Sequence, residues 1–143
     1  PLLPHYDLIL IDTPPSLGIV SVNALVASDG VVVPVQTEYF ALEGLALLSG
    51  TIREVRALLN PTLGVDGVLM TMHAPTTLNH QVASELREAF PRLGVEPAIR
   101  RNIRLAEAPS HGMPIHLHQP NSAGGQDYRD VVSVLERRWG LKR

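Results

Sequence analysis

An α/β fold, a parallel sheet flanked by helices on both faces, is predicted by three features of these 143 residues. Short unbroken apolar runs of strand length alternate with longer segments whose apolar residues recur every three or four positions. The connections between the apolar runs are long enough for crossover helices, which parallel strands require. With 45% hydrophobic and 18% charged residues, the chain has the globular balance needed to bury such a sheet.

The elements follow in order. Tyr6 to Ile11 reads as a buried strand and Val20 to Ala27 as a helix. Gly30 to Val35, the β-branched run GVVVPV, reads as a second, fully buried strand. Leu42, Leu45, Leu48, Ile52, Val55 and Leu59 then mark one apolar helix face, which Asn60-Pro61 ends. Val65 to Met72 is a third strand, Asn79 to Phe90 a helix stopped by Pro91, and Val95 to Ile99 a fourth strand. Arg104 to Ala108 is too short to assign. A helix from about Ala123 to Trp139 closes the chain, with Tyr128, Val131, Val132, Leu135 and Trp139 expected on one core-facing side. Residues 1–143 contain no repeat, low-complexity tract or interdomain linker and read as a single domain.

Composition excludes several functions. Without cysteine there is no disulfide, thiolate zinc site or cysteine-ligated iron–sulfur cluster. No apolar run approaches the ~20 residues that span a bilayer. A net charge of -2 gives no overall attraction to nucleic acid, so such binding needs a local basic patch. The opening Pro1-Leu2-Leu3-Pro4 has no initiator methionine, turn or cap, and reads as an internal start.

Ligands of parallel α/β sheets sit outside the carboxyl ends of the strands. In YDLILIDTPPSLG, residues 6 to 18, Asp12 is expected at such an end, where a carboxylate suits a Mg²⁺ ion beside nucleotide phosphates. Asp12-Thr13 before Pro14 equally suits a cap for the next helix, and the residues alone leave both readings open.

The same stretch closely resembles the second nucleotide motif of ParA-type partition ATPases, the deviant P-loop family that includes MinD and the nitrogenase iron proteins. QTEYFALEGL (36 to 45), RNIRLAEAPSHGMPI (101 to 115) and P-x-S-x-G with Tyr128 (120 to 128) resemble ParA and Soj segments in the same order. The resemblance covers essentially the whole chain. It implies a P-loop NTPase-like three-layer fold and a cytoplasmic, nucleoid-associated ATPase. Such an enzyme uses ATP and Mg²⁺, forms a homodimer when ATP-bound, binds DNA non-specifically and answers to a ParB-like partner, without a membrane role. Chromosome or plasmid partitioning is the implied function.

The family's glycine-rich, lysine-bearing phosphate loop and its strand have no counterpart here. No G-x-x-x-x-G-K occurs, and the only lysine is Lys142. Gly124-Gly125 lacks a following lysine and reads as a turn or helix entry. The 143 residues are therefore expected to be the carboxyl-terminal part of a ParA-like ATPase domain, inactive alone.

Position by position, the resemblance makes Asp12 the magnesium-side acid of the hydrolytic centre, holding the ion through water. It places Glu38 near the nucleotide at a dimer interface, and Met72, Arg101 and Asn102 near an adenine pocket. Glu38 also suits the first turn of a helix, and Met72 also suits the core. Arg100, Arg101 and Arg104 form the densest internal positive cluster. The cluster's functional reading is contact with DNA phosphates through Arg104 and Arg101, Arg104 resembling an arginine of the family that is associated with DNA binding; a solvated loop with Arg104 paired to Glu107 is the other reading. HAPTTLNHQ (73 to 81) lacks an acid and an arginine common in relatives and is one residue short, while Arg100 stands where relatives often carry proline. These departures predict weaker DNA binding and a disturbed adenine pocket.

Arg137, Arg138, Lys142 and Arg143 read as a solvated helix end. His116 and His118 would share a strand face near His111, but no third ligand stands at metal-binding spacing. Two alternatives to the partition ATPase remain: a MinD-like membrane-cycling ATPase, which needs an amphipathic tail, and a non-catalytic interaction module without a phosphate site.

Overall fold

The computed structural model describes residues 5–141. Its elements are α1 (Ile19–Ala27), β1 (Gly30–Gln36), α2 (Ala41–Leu58), β2 (Gly64–Thr71), α3 (Thr77–Ala89), β3 (Gly94–Val95), α4 (Ile103–Glu107), a 3-10 turn (Ala108–His111), α5 (Ile115–His118) and α6 (Ala123–Arg138). The sheet is parallel, in the order β1-β2-β3.

Alternation along the strands builds three layers. Val33 and Val35 of β1 and Val68 and Met70 of β2 pack with Leu45 of α2 and Val82, Ala83 and Leu86 of α3. Val32 and Leu69 belong to a second cluster with Ile99, Leu105 of α4, and Val131, Val134 and Leu135 of α6. A third cluster joins Leu25 of α1 to Ile52 and Val55 of α2 and to Leu63. The α1 and α2 ends are tied by Asn60, whose Nδ2 donates to the carbonyls of Leu25, Val26 and Ser28 at 3.1, 3.2 and 2.8 Å. That closes a helix end whose last carbonyls lack intrahelical partners.

Six expectations are corrected. Tyr6 to Ile11 forms no strand, and Leu8 to Ile11 stand 41 to 75% exposed. An apolar run becomes a strand only where a neighbour accepts its backbone hydrogen bonds, and this run has no ladder partner among the described residues. The strand GVVVPV is only partly buried. Among the described residues it lies at the sheet edge, a position that accommodates Pro34, which has no N–H to give.

The fourth strand shrinks to Gly94–Val95, because Pro97 interrupts the donors. Pairing resumes with the Ile99 N–H on the Met70 carbonyl at 2.8 Å and a His73–Arg100 bridge. On α6 the buried positions are Gly124, Gly125, Asp127 and Val131, whereas Tyr128 and Val132 face outward at 39 and 47% exposure. Both glycines stand in the first turn of α6, with Ser122 Oγ accepting from the Gly125 N–H at 3.1 Å.

The basic end of α6 is partly structural. Arg138 donates to the carbonyls of Asp66 (2.6 Å), Leu93 (3.3 Å) and Gly94 (2.6 Å), and Trp139 Nε1 donates to Asp66 Oδ2 at 2.8 Å. Arg138 thus clamps the amino ends of β2 and β3. Lys142 and Arg143 lie outside the described residues. His116 and His118 sit on α5, not on a strand, and His118 stacks on His111 with centroids 4.6 Å apart. Among the described residues no group of three or more histidine or acidic side chains could hold a metal.

Candidate functional site

The carboxyl ends of the parallel strands gather most of the predicted residues. β1 runs into Thr37 and Glu38, β2 into Met72 and His73, and the third path into Arg100, Arg101 and Asn102. Backbone bonds knit these paths together. The Thr37 N–H donates to the Thr71 carbonyl (3.3 Å), the His73 N–H to Ile99 (3.0 Å), and the Arg101 N–H to His73 (2.9 Å). Glu38, Met72, Arg101 and Asn102 therefore share one edge. Met72 is half-exposed and has φ of 53°, a left-handed conformation rare for such a side chain, so it is not simply core.

A polar network missed by sequence reasoning braces this edge. Thr37, fully buried, donates its hydroxyl proton to Asn79 Oδ1 at 3.0 Å, and the same oxygen accepts the Ala74 N–H at 2.7 Å. With that proton spent, Thr37 Oγ1 accepts from His73 Nδ1 at 3.3 Å, which fixes the imidazole tautomer. Burial first, and then the charges of His80 and Arg87, push the His73 pKa below its usual value against an opposing pull from Glu96. His80 meets His73 edge-on, ring centroids 5.3 Å apart.

Beside the network is an open hollow of about 540 Å³, lined by Glu38, Tyr39, Phe40, Ala41, Leu78 and Asn79. Tyr39 and Phe40 are 75 and 71% exposed and meet edge-to-face at 5.1 Å. Two exposed rings beside a carboxylate offer apolar area together with an acceptor for a cationic or N–H group.

The arginine cluster divides into three states. Arg100 turns away from the strand end to Asp127 on α6, which is only 4% exposed. Its backbone N–H and Nε each reach Oδ2 at 2.9 Å, and Nη2 reaches Oδ1 at 2.7 Å. Burial opposes ionisation of Asp127, but the Arg100 hydrogen bonds and charge outweigh it and hold its carboxyl below the usual range. The reciprocal contact raises the Arg100 pKa. Arg100 is thus a latch between sheet and helix. Arg101 is exposed, and no ion pair of its side chain is found among the described residues. Arg104 pairs with Glu107 at 2.7 Å. Asn102 Oδ1 caps α4 by accepting the Arg104 N–H at 2.9 Å.

No hydrogen bond among the described residues joins Asp12 to this edge. Asp12 lies in the exposed, unpaired segment, and among the described residues no hydrogen bond or ion pair engages its carboxylate. It does not cap α1, whose N-cap is Gly18 with no side-chain bond. A free, solvated carboxylate fits Mg²⁺, which keeps most of its waters and takes one or two carboxylates.

Comparison with known proteins adds the deciding observation. The chain is 52% identical over 132 residues to the sporulation initiation inhibitor protein Soj of Bacillus subtilis, covering 92% of this chain and 52% of that protein. It is 53% identical over 134 residues to the chromosome-partitioning ATPase Soj of Thermus thermophilus, covering 93% and 54%. The chain is a ParA/Soj-type sequence.

A family model described as an AAA domain matches residues 1–65. Cobyrinic acid a,c-diamide synthase from Mycobacterium smegmatis, in a structure with bound ATP analog and magnesium, superposes with a TM-score of 0.69 at 30% identity. That match covers 92% of this chain and 47% of the synthase. The cell division ATPase MinD of Pyrococcus furiosus shares the fold, with a TM-score of 0.74 at 18% identity over 95% of this chain and 54% of its own. The ParA/Soj-type chain spans about half the length of the relatives it matches. Among the described residues no helix is long and apolar enough to cross a membrane.

Proposed function

We propose that this chain is the carboxyl-terminal part of a partition ATPase that binds ATP and Mg²⁺, dimerises on ATP and holds DNA non-specifically until a ParB-like partner triggers hydrolysis. The observation that carries the reading is the convergence of Glu38, Met72, Arg101 and Asn102 on one strand-end edge, in a chain about half identical to Soj proteins. Ligands of parallel α/β sheets lie at such edges.

The residues divide the work. Asp12, solvated and unpaired, would hold magnesium through water, and bound magnesium would neutralise charge developing on the phosphates. Met72, Arg101 and Asn102 would bound the base, with Asn102 Oδ1 already committed to capping α4. Glu38, beside the Tyr39 and Phe40 rings, would face the second subunit across the hollow. Arg101 and Arg104 would meet DNA phosphates. The phosphate-cradling loop is not found in these 143 residues, so hydrolysis is a property proposed for the longer chain.

The test is steady-state ATP hydrolysis by the longer protein, with and without magnesium. Asp12→Ala should abolish magnesium-dependent turnover while leaving the melting temperature unchanged. Wild-type turnover in that variant would remove Asp12 from the hydrolytic centre.

A further inference from the structure

The three neighbouring arginines are committed to very different degrees, and the difference has a consequence for DNA affinity. Arg100 is locked: three of its N–H groups engage a carboxylate that is 5% exposed. Arg101 is unpaired among the described residues. Arg104 is held by one contact, Nη1 to Glu107 Oε2 at 2.7 Å, with side chains 51 and 34% exposed.

We propose that Glu107 is a built-in competitor for DNA phosphate at Arg104, a residue that sets the strength of non-specific DNA binding. The inference rests on the reading of Arg104 as a phosphate contact. A carboxylate and a phosphate recognise a guanidinium through the same charge-assisted N–H bonds. Residues three apart on the short helix α4 keep Glu107 within reach of Arg104, and the Asn102 cap and the Ser110 hydroxyl on the Glu107 carbonyl (2.7 Å) fix that helix. A phosphate reaching Arg104 must displace this carboxylate and then sit beside its negative charge.

Exposed pairs of this kind contribute on the order of 0.2 to 1 kcal/mol. That is weak enough to be displaced and strong enough to lower the affinity measurably. The buried Asp127 carboxylate, with three donors, is no such competitor for Arg100. Glu107 therefore weakens DNA binding without changing how many phosphates are contacted.

The experiment is filter binding of the longer protein, with ATP and Mg²⁺, to unrelated duplexes at several salt concentrations. The variants are Glu107→Gln, Arg104→Ala, the double substitution and Glu54→Gln. Glu54 is exposed on α2, which packs on the sheet face opposite α4, and controls for net charge. Glu107→Gln should tighten binding of the ATP-bound dimer about two- to thirty-fold on every duplex, the range that two exposed pairs, one per subunit, support, with an unchanged salt slope. Arg104→Ala should weaken binding, and Glu107→Gln should have no effect in its presence. Equal tightening by Glu54→Gln, or by Glu107→Gln without Arg104, would overturn the inference by reducing Glu107 to a bulk-charge effect. No tightening by Glu107→Gln, where Arg104→Ala does weaken binding, overturns the inference and leaves the DNA interface standing. No loss on Arg104→Ala overturns the interface, and the inference with it.

Discussion

Replacing Asp127 with asparagine tests the latch that fixes the arginine segment to α6. The native carboxylate accepts from the Arg100 N–H and Nε through Oδ2 at 2.9 Å each, and from Nη2 through Oδ1 at 2.7 Å. An amide has only one acceptor oxygen. Its cheaper orientation keeps oxygen where Oδ2 was, preserving the backbone and Nε bonds, and turns the NH₂ group toward Nη2. The loss is then the short Nη2 bond to Oδ1 together with the longer Nε branch to the same oxygen at 3.2 Å, ~1.5 to 3 kcal/mol for the charged pair. The lower end applies, because the Arg100 side chain is 54% exposed and water replaces its partner.

At ~2 to 4 °C per kcal/mol for a chain of this size, the melting temperature should fall by roughly 3 to 6 °C. The pH dependence supplies a second readout. The Asp127 pKa is lower folded than unfolded, so its contribution is complete above the unfolded value near 3.9 and is lost as pH falls through the folded value. The gap between wild type and variant, followed by circular dichroism melts, should be constant from about pH 5 to 7 and close below about pH 4. A variant that melts with wild type at pH 7, or a gap that does not narrow in acid, would refute the latch.

Two further outcomes follow from the same geometry. A Cβ at Gly125 would meet the Gln119 and Pro120 carbonyl oxygens at 2.7 and 2.8 Å, so Gly125→Ala should destabilise by ~1 to 3 kcal/mol despite alanine's helix propensity; an unchanged urea midpoint would show that this loop yields freely. The lowered His73 pKa means that the unfolded chain binds its proton first as pH falls, so stability should drop below about pH 6.5. In His73→Gln that part of the drop should be missing from urea titrations at pH 7 and pH 5, and an identical drop in the variant would assign the effect to other groups.

Periodicity exposed the elements that carry their own packing surface. The three-and-four spacing of Leu45, Ile52 and Val55 marked α2 by its buried face, and the β-branched GVVVPV run marked β1, of which Val33 and Val35 are buried. Tyr6 to Ile11 misled because an apolar run records a preference for burial, not the presence of a neighbouring strand. The fourth strand failed at Pro97, which supplies no N–H to a ladder, a signal already visible in the sequence.

At the site, the resemblance put Glu38 at a dimer interface and Met72, Arg101 and Asn102 at an adenine pocket, and the strand ends that bring all four to one edge were readable from the strand runs. The Thr37–His73–Asn79 network and the Arg100–Asp127 latch join residues 36, 42 and 27 positions apart, and no local pattern encodes such pairings. Asp127 carried one faint signal. It is an acid among the positions of α6 that face the sheet, one turn beyond Gly124.

The central claim, a DNA-holding partition ATPase whose contacts run through Arg101 and Arg104, is tested most directly by the salt dependence of DNA binding. Each lost phosphate contact removes about 0.9 from the slope of log affinity against log salt. An ATP-bound dimer of the Arg101→Ala/Arg104→Ala variant loses about four contacts, two per subunit, and its slope should flatten by about 3.6, equally for duplexes of unrelated sequence. A wild-type slope in that variant, or no measurable binding by the wild-type longer protein with ATP and Mg²⁺, would contradict the account.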